Sequence, residues 1–185
     1  DKHGYVVFAR QKKKIGEDLR PPHKQALKLT VPEDVLKCDT VIASCGMLNF
    51  EASAYANGSS TEFRDWHGKD QVVEDHFTRF PKAKEIFLRS FKRNYPDLVE
   101  GRNVIVVDCT AISDPDKDRN LRSHLGTHPK SFKGIVEHPK YAAVNKPLSK
   151  LRTPVKGHQE KNLAINVCKS GRHRSVANTE AQDEV

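Results

Sequence analysis

Leu163-Ala-Ile-Asn-Val-Cys168-Lys-Ser-Gly-Arg-His-Arg174-Ser-Val-Ala is the stretch on which the fold turns. Its first half is a short apolar run of strand length, and its second half carries a glycine and then a helix-compatible sequence. A strand that ends in a Gly-containing loop and opens a helix aims several backbone N–H groups into one concavity. Lys169, Ser170, Gly171, Arg172, His173, Arg174 and Ser175 make that concavity a seat for a phosphate-like anion. The predicted fold class is therefore α/β, with a mostly parallel sheet, flanking helices and an anion site at the carboxyl ends of the strands.

Other strands are legible outward from this one. Asn103-Val-Ile-Val-Val107 is a near-continuous apolar run ending in Asp108-Cys109, the pattern of a strand buried on both faces. Thr40-Val-Ile-Ala-Ser44 is a third candidate, ending at Cys45-Gly46, and Tyr5-Val-Val-Phe-Ala9 a fourth. Three of these runs finish on cysteine, at 45, 109 and 168, so their loops could share one rim, although cysteine also simply packs well at strand ends. The clearest helical periodicity runs from Asp70 to Tyr95, with Val73, Phe77, Phe80, Phe87 and Phe91 on one stripe and Pro81 predicted to kink or split it. A short helix is predicted over Ser131–His138, and residues 145–162, basic and containing Pro147, Pro154 and Gly157, as a connecting segment.

The 185 residues suffice for one large domain, divided here into a basic N-terminal arm, 1–30, and an α/β domain, 31–185. The chain lacks an initiator Met and stops early in a predicted helix, as expected of a piece of a longer protein whose last domain is truncated at its C-terminal end. Net charge is +8, concentrated in residues 1–28 (eight Lys/Arg against three acids) and 146–174 (eight against Glu160). Two basic stretches around balanced surface suit a polyanion, such as RNA, DNA or a phosphorylated small molecule, and equally suit a solvated basic face. No run has membrane-span length, so no membrane contact is expected. The four cysteines form no CxxC pair and match no zinc spacing, which implies free thiols in a reducing intracellular compartment, cytoplasmic or nuclear, and no metal or cofactor. A homo-oligomer is left open.

Two chemistries compete at the last loop. Cys168 and Arg174 have the spacing of a cysteine phosphatase, in which Cys168 would attack phosphorus, Arg174 would clamp the phosphate, and Asp108, Asp114 or Asp116 would protonate the leaving group. Against the enzyme stand a single loop glycine and Val167 where a thiol-orienting histidine is usual. The other chemistry is binding alone, with Cys168 no more than a packing residue. Arg174 is then central, because an arginine at a helix start is poorly placed for the helix dipole unless an anion is bound.

Val167-Cys-x-x-Gly-x-His-Arg-Ser-Val176 resembles the Cys-Thr-Gly-Gly-x-His-Arg-Ser-Val segment of the RapZ C-terminal domain, in the RNase adapter family. Val106-Val-Asp108, followed by Asp114-Pro115, is similar to that family's strand and Asn-Pro loop, and Leu121-Arg122 with Gly126 to its Leu-Arg-Pro-x-Thr-Gly segment. The resemblance covers about residues 103–185. It implies a regulatory or adapter module that senses an amino-sugar phosphate and contributes to small-RNA binding, with pocket residues on the last loop at Cys168, Gly171, His173, Arg174 and Ser175; Lys169, Ser170, Arg172, Asp108 and Arg122 complete the candidate ligand-binding set read from the chain itself. Lys169, Ser170 and Asp116 depart from the family's threonine, glycine and histidine, and no P-loop motif is present.

Overall fold

The structure is a computed structural model, and it describes residues 3–8, 30–46, 81–115, 118–121, 124–151, 161–168, 171 and 173–183. Its centre is a parallel sheet of four strands, β1 (His3–Phe8), β2 (Thr40–Gly46), β3 (Arg102–Asp108) and β4 (Lys161–Cys168), in the spatial order β1-β2-β4-β3. The chain is thus α/β, as its sequence predicts. Residues 3–8, which overlap the strand candidate Tyr5–Ala9 within the N-terminal arm, are a strand of this same sheet, paired from His3 with Thr40 to Phe8 with Cys45.

The strand order dictates where the helices go. From β2 the chain steps past the place β4 will take to reach β3, then reverses to insert β4. Right-handed crossovers that reverse direction lie on opposite faces of a sheet. The packing follows this rule. On one face Phe87 and Phe91 of α2 (Pro81–Asn94) and Leu98 of α3 (Pro96–Val99) cover Val41, Ala43, Val106, Leu163, Ile165 and Val167. On the other, Ile135 of α4 (Pro129–Val136), Val144 of α5 (Tyr141–Asn145) and Ala177 of α6 (Arg174–Asp183) join Ile105, Val107 and Ile112. Val106 and its neighbours Ile105 and Val107 fall in different clusters, the period of two expected of a strand buried on both faces. A single turn, α1 (Glu33–Leu36), precedes β2.

Four local outcomes differ from, or add to, the sequence reading. Pro81 is the first described residue of α2, and Asp70–Phe80, with the kink or split expected at Pro81, lies outside the described residues. A second proline, Pro96, separates α2 from α3. The predicted helix 131–138 begins two residues earlier, at Pro129. Lys146–Lys150, expected within a connecting segment, forms a 3-10 helix continuous with α5, because Val144, Leu148 and Leu151 supply apolar contacts to the cluster under β3. Among the described residues no helix is long and apolar enough to cross a membrane.

Asn166 interrupts the apolar run of β4 and is fully buried, so its four hydrogen-bonding positions must be filled from within. Its Nδ2 donates to Thr179 Oγ1 at 2.9 Å and Gln182 Oε1 at 3.0 Å, while its Oδ1 accepts from Asn178 Nδ2 at 2.8 Å and Gln182 Nε2 at 3.4 Å. Asn145, at the end of α5, closes the network by exchanging two bonds of 2.9 Å with Asn178 and accepting from Gln182 at 2.9 Å. These amides fix α6 on β4 and α5 in one rotational setting. Asn145→Ala is expected to lower stability in urea by about 2 kcal/mol, because Asn178 and Gln182 each lose a partner away from water. A loss below about 0.5 kcal/mol would show the network to be redundant.

Candidate functional site at the carboxyl edge of the sheet

Cys45, Cys168 and Cys109 end three adjacent strands, since Gly46 pairs with Cys168 and Asp108 with Val167. All four cysteines of the chain are free and buried. Cys45 belongs to the cluster under α2, whereas Cys109 and Cys168 belong to the one under α4 and α6. Burial first, and the neighbouring Cys168 second, push the Cys45 and Cys109 thiols well above their ordinary pKa, so both remain neutral packing groups.

Between Gly46 and Cys168 lies the topological switch. α2, the next described helix after β2, packs on one face of the sheet and α6, after β4, on the other, the place where open α/β sheets take their ligands. Gly171 occupies it at φ +68°, so close to β2 that a Cβ would stand 2.4 Å from Gly46 N and 2.8 Å from Cys45 C. Its N–H donates to Cys168 Sγ at 3.2 Å, and Ser175 Oγ lies 3.2 Å from the same sulfur. Cys168 is only 2% exposed. Its sulfur is thus caged by the first turn of α6 rather than open to a substrate.

The other side of the α6 start is closed by the loop after Leu121. Gly126 lies against it so tightly that a Cβ there would fall 2.1 Å from His173 O and 2.6 Å from Ala177 N, the two partners of a helical hydrogen bond of 2.9 Å. His173 is buried, with Nε2 2.7 Å from the His124 carbonyl; a carbonyl only accepts, so Nε2 carries the proton. His173 Nδ1 is 3.7 Å from Asp114 Oδ1.

Arg174 reaches into the loop after β3. Its Nη1 donates to the carbonyls of Thr110 at 3.0 Å and Ile112 at 3.1 Å, and its Nη2 pairs with Asp114 Oδ2 at 3.0 Å. The side chain is 8% exposed, and its Nε is buried without a hydrogen bond. Asp108 turns back on its own strand end, accepting from the Thr110 N–H at 2.9 Å and from the Thr110 hydroxyl. The structure therefore brings Cys168, Gly171 and Ser175 together, and separately ties His173 and Arg174 to Asp114. Lys169, Ser170, Arg172, Arg122 and Asp116 lie outside the described residues.

Sequence reasoning missed the carbonyls of Thr110 and Ile112 as guanidinium acceptors and Gly46 as the surface that receives Gly171. No motif marks a backbone carbonyl, but Gly46 closes an apolar run, a signal of close backbone approach. Among the described residues no group of three or more His, Cys, Asp or Glu could hold a metal ion. What the edge offers chemically is a guanidinium with one N–H still without an acceptor, beside backbone held by two tightly packed glycines. No protein-family model matches the chain, and no curated protein or solved structure matches it either.

Proposed function

We propose that the chain is a regulatory or adapter domain that binds a phosphorylated small molecule, a sugar phosphate or nucleotide-like ligand, at the carboxyl edge around Arg174. The observation that carries this reading is the buried Arg174 Nε without an acceptor. A buried N–H left unpaired is costly, and a phosphate can meet a guanidinium fork with two oxygens at once. The resemblance of the Cys168–Ser175 loop and of Asp114-Pro115 to the RapZ C-terminal domain points to the same class of ligand. Exposed Lys146 and Lys150 extend the basic stretch on the surface and support RNA as a further, salt-sensitive partner.

Calorimetric titration of inorganic phosphate and of a hexose phosphate tests the site. Arg174→Lys keeps the charge but loses the planar fork, and is expected to weaken binding at least about tenfold. Equal binding by wild type and variant would remove Arg174 from the site.

One observation favours a second reading, the cysteine phosphatase: the Gly171 N–H donates to Cys168 Sγ, and Ser175 Oγ lies within hydrogen-bond distance of the same sulfur, where a hydroxyl could assist a departing thiol. The burial of Cys168 speaks for binding instead. Turnover of para-nitrophenyl phosphate by wild type and its loss in Cys168→Ser would establish the enzyme. Absence of turnover, with phosphate binding retained in Cys168→Ser, is the expected result.

A further inference from the structure

We infer that Asp114 is the resident occupant of the anion seat on Arg174, and that a phosphorylated ligand binds by displacing it and freeing the loop after β3. This rests on the proposed phosphate site and adds how that site is controlled.

The Arg174 guanidinium ties the loop to α6. Thr110 O, Ile112 O and Asp114 Oδ2 all lie within 3.1 Å of Arg174 nitrogens. Two of these acceptors are neutral carbonyls, and the third is a carboxylate, which offers the same charged oxygen that a phosphate would. Asp114 fills the seat incompletely. It reaches Nη2 with one oxygen, while its other oxygen lies 3.7 Å from His173 Nδ1 and leaves Nε without an acceptor. A phosphate presents several oxygens in tetrahedral array and can take Nη2 and Nε together, so it gains a bond that Asp114 does not make.

The Asp114 side chain is 30% exposed against 8% for Arg174, so the occupant sits on the solvent side of the seat and can leave it outward. Its departure removes the one charged tie among the three that Arg174 makes to residues 110–114. A ligand that must displace an internal competitor binds with an affinity reduced by the fraction of protein in the open state. The loop conformation thereby reports whether ligand is bound, which is what a regulatory domain must transmit.

Inorganic phosphate is titrated into the full chain as wild type, Asp114→Asn and Arg174→Lys. Asp114→Asn keeps an acceptor oxygen of the same size but removes the competing charge, and should bind phosphate about tenfold more tightly. Arg174→Lys should bind at least about tenfold more weakly. If Arg174→Lys loses binding while Asp114→Asn matches or falls below wild type, the occupant role is wrong and the site stands. If Arg174→Lys matches wild type, or nothing binds phosphate, both fall together. Should Asp114→Asn not fold, hydrogen exchange in the wild type decides. Saturating phosphate should speed exchange at the Thr110 and Ile112 amides, and unchanged or slower exchange overturns the displacement.

Discussion

Gly171→Ala is expected to cost about 4 kcal/mol in chemical denaturation and to abolish phosphate binding in whatever fraction still folds. Two separate penalties add at this position. A side chain at φ +68° is strained by about 1–2 kcal/mol. The new Cβ would also meet Gly46 N, Cys45 C and Gly46 Cα at 2.4, 2.8 and 3.0 Å, all of it backbone at the end of a strand paired on both sides. That crowding cannot be relieved by turning a side chain, and overpacking of this kind costs about 1–3 kcal/mol. Two other glycines isolate the terms. Gly101 has φ +70° with nothing within 4 Å of a Cβ, so Gly101→Ala should cost only the strain, about 1 kcal/mol. Gly126 has no left-handed φ but would place its Cβ 2.1 Å from His173 O, so Gly126→Ala should show the crowding term, about 3 kcal/mol. If Gly101→Ala and Gly171→Ala cost the same, the close approach of the last loop to β2 is wrong.

This edge was only partly legible in the sequence. The apolar runs at 40–46, 103–107 and 163–167 mark strands because a strand buried on both faces has no polar period to show, and each is a strand. Their order is not written in any one run. It follows from which crossover returns to fill the gap between β2 and β3, and that choice places Cys45 beside Cys168 rather than at a distant edge. Arg174 was recognisable as a residue with an unusual position, at the start of a helix rather than its end. Its partners were not, since Thr110, Ile112 and Asp114 lie some sixty residues earlier and two of them contribute only backbone oxygen. Asn166 shows the converse. A lone asparagine in an apolar run looks like a fault in the strand until α6 supplies its partners from 12 to 16 residues away.

Arg102 is the counterpart of Arg174 at the opposite, amino-terminal edge, and the comparison gives the second large effect. Its side chain spans the start of the sheet, with Nη1 donating to Cys38 O at 2.9 Å, Asn162 O at 3.1 Å and Asp39 O at 3.5 Å, and Nη2 to Leu36 O at 2.8 Å. These acceptors lie at the exit of α1 and the entries of β2 and β4, so one guanidinium closes the carbonyls that a helix end leaves open and locks three segments together. Burial, which penalises the charged form, lowers its pKa, opposed by the nearby Cys38 and Asp39. Arg102→Met retains most of the stem but strands the buried oxygens of Cys38 and Asn162, and should cost about 3 kcal/mol in a urea titration. Arg102→Lys should recover only part of this, because one ammonium cannot span carbonyls that two guanidinium nitrogens share. Phosphate affinity of either variant, measured where it is folded, should equal that of wild type, since Arg102 is a full strand length from Arg174. A cost within about 0.5 kcal/mol of zero would mean that water replaces the guanidinium at these carbonyls, and that the amino-terminal edge needs no internal tie.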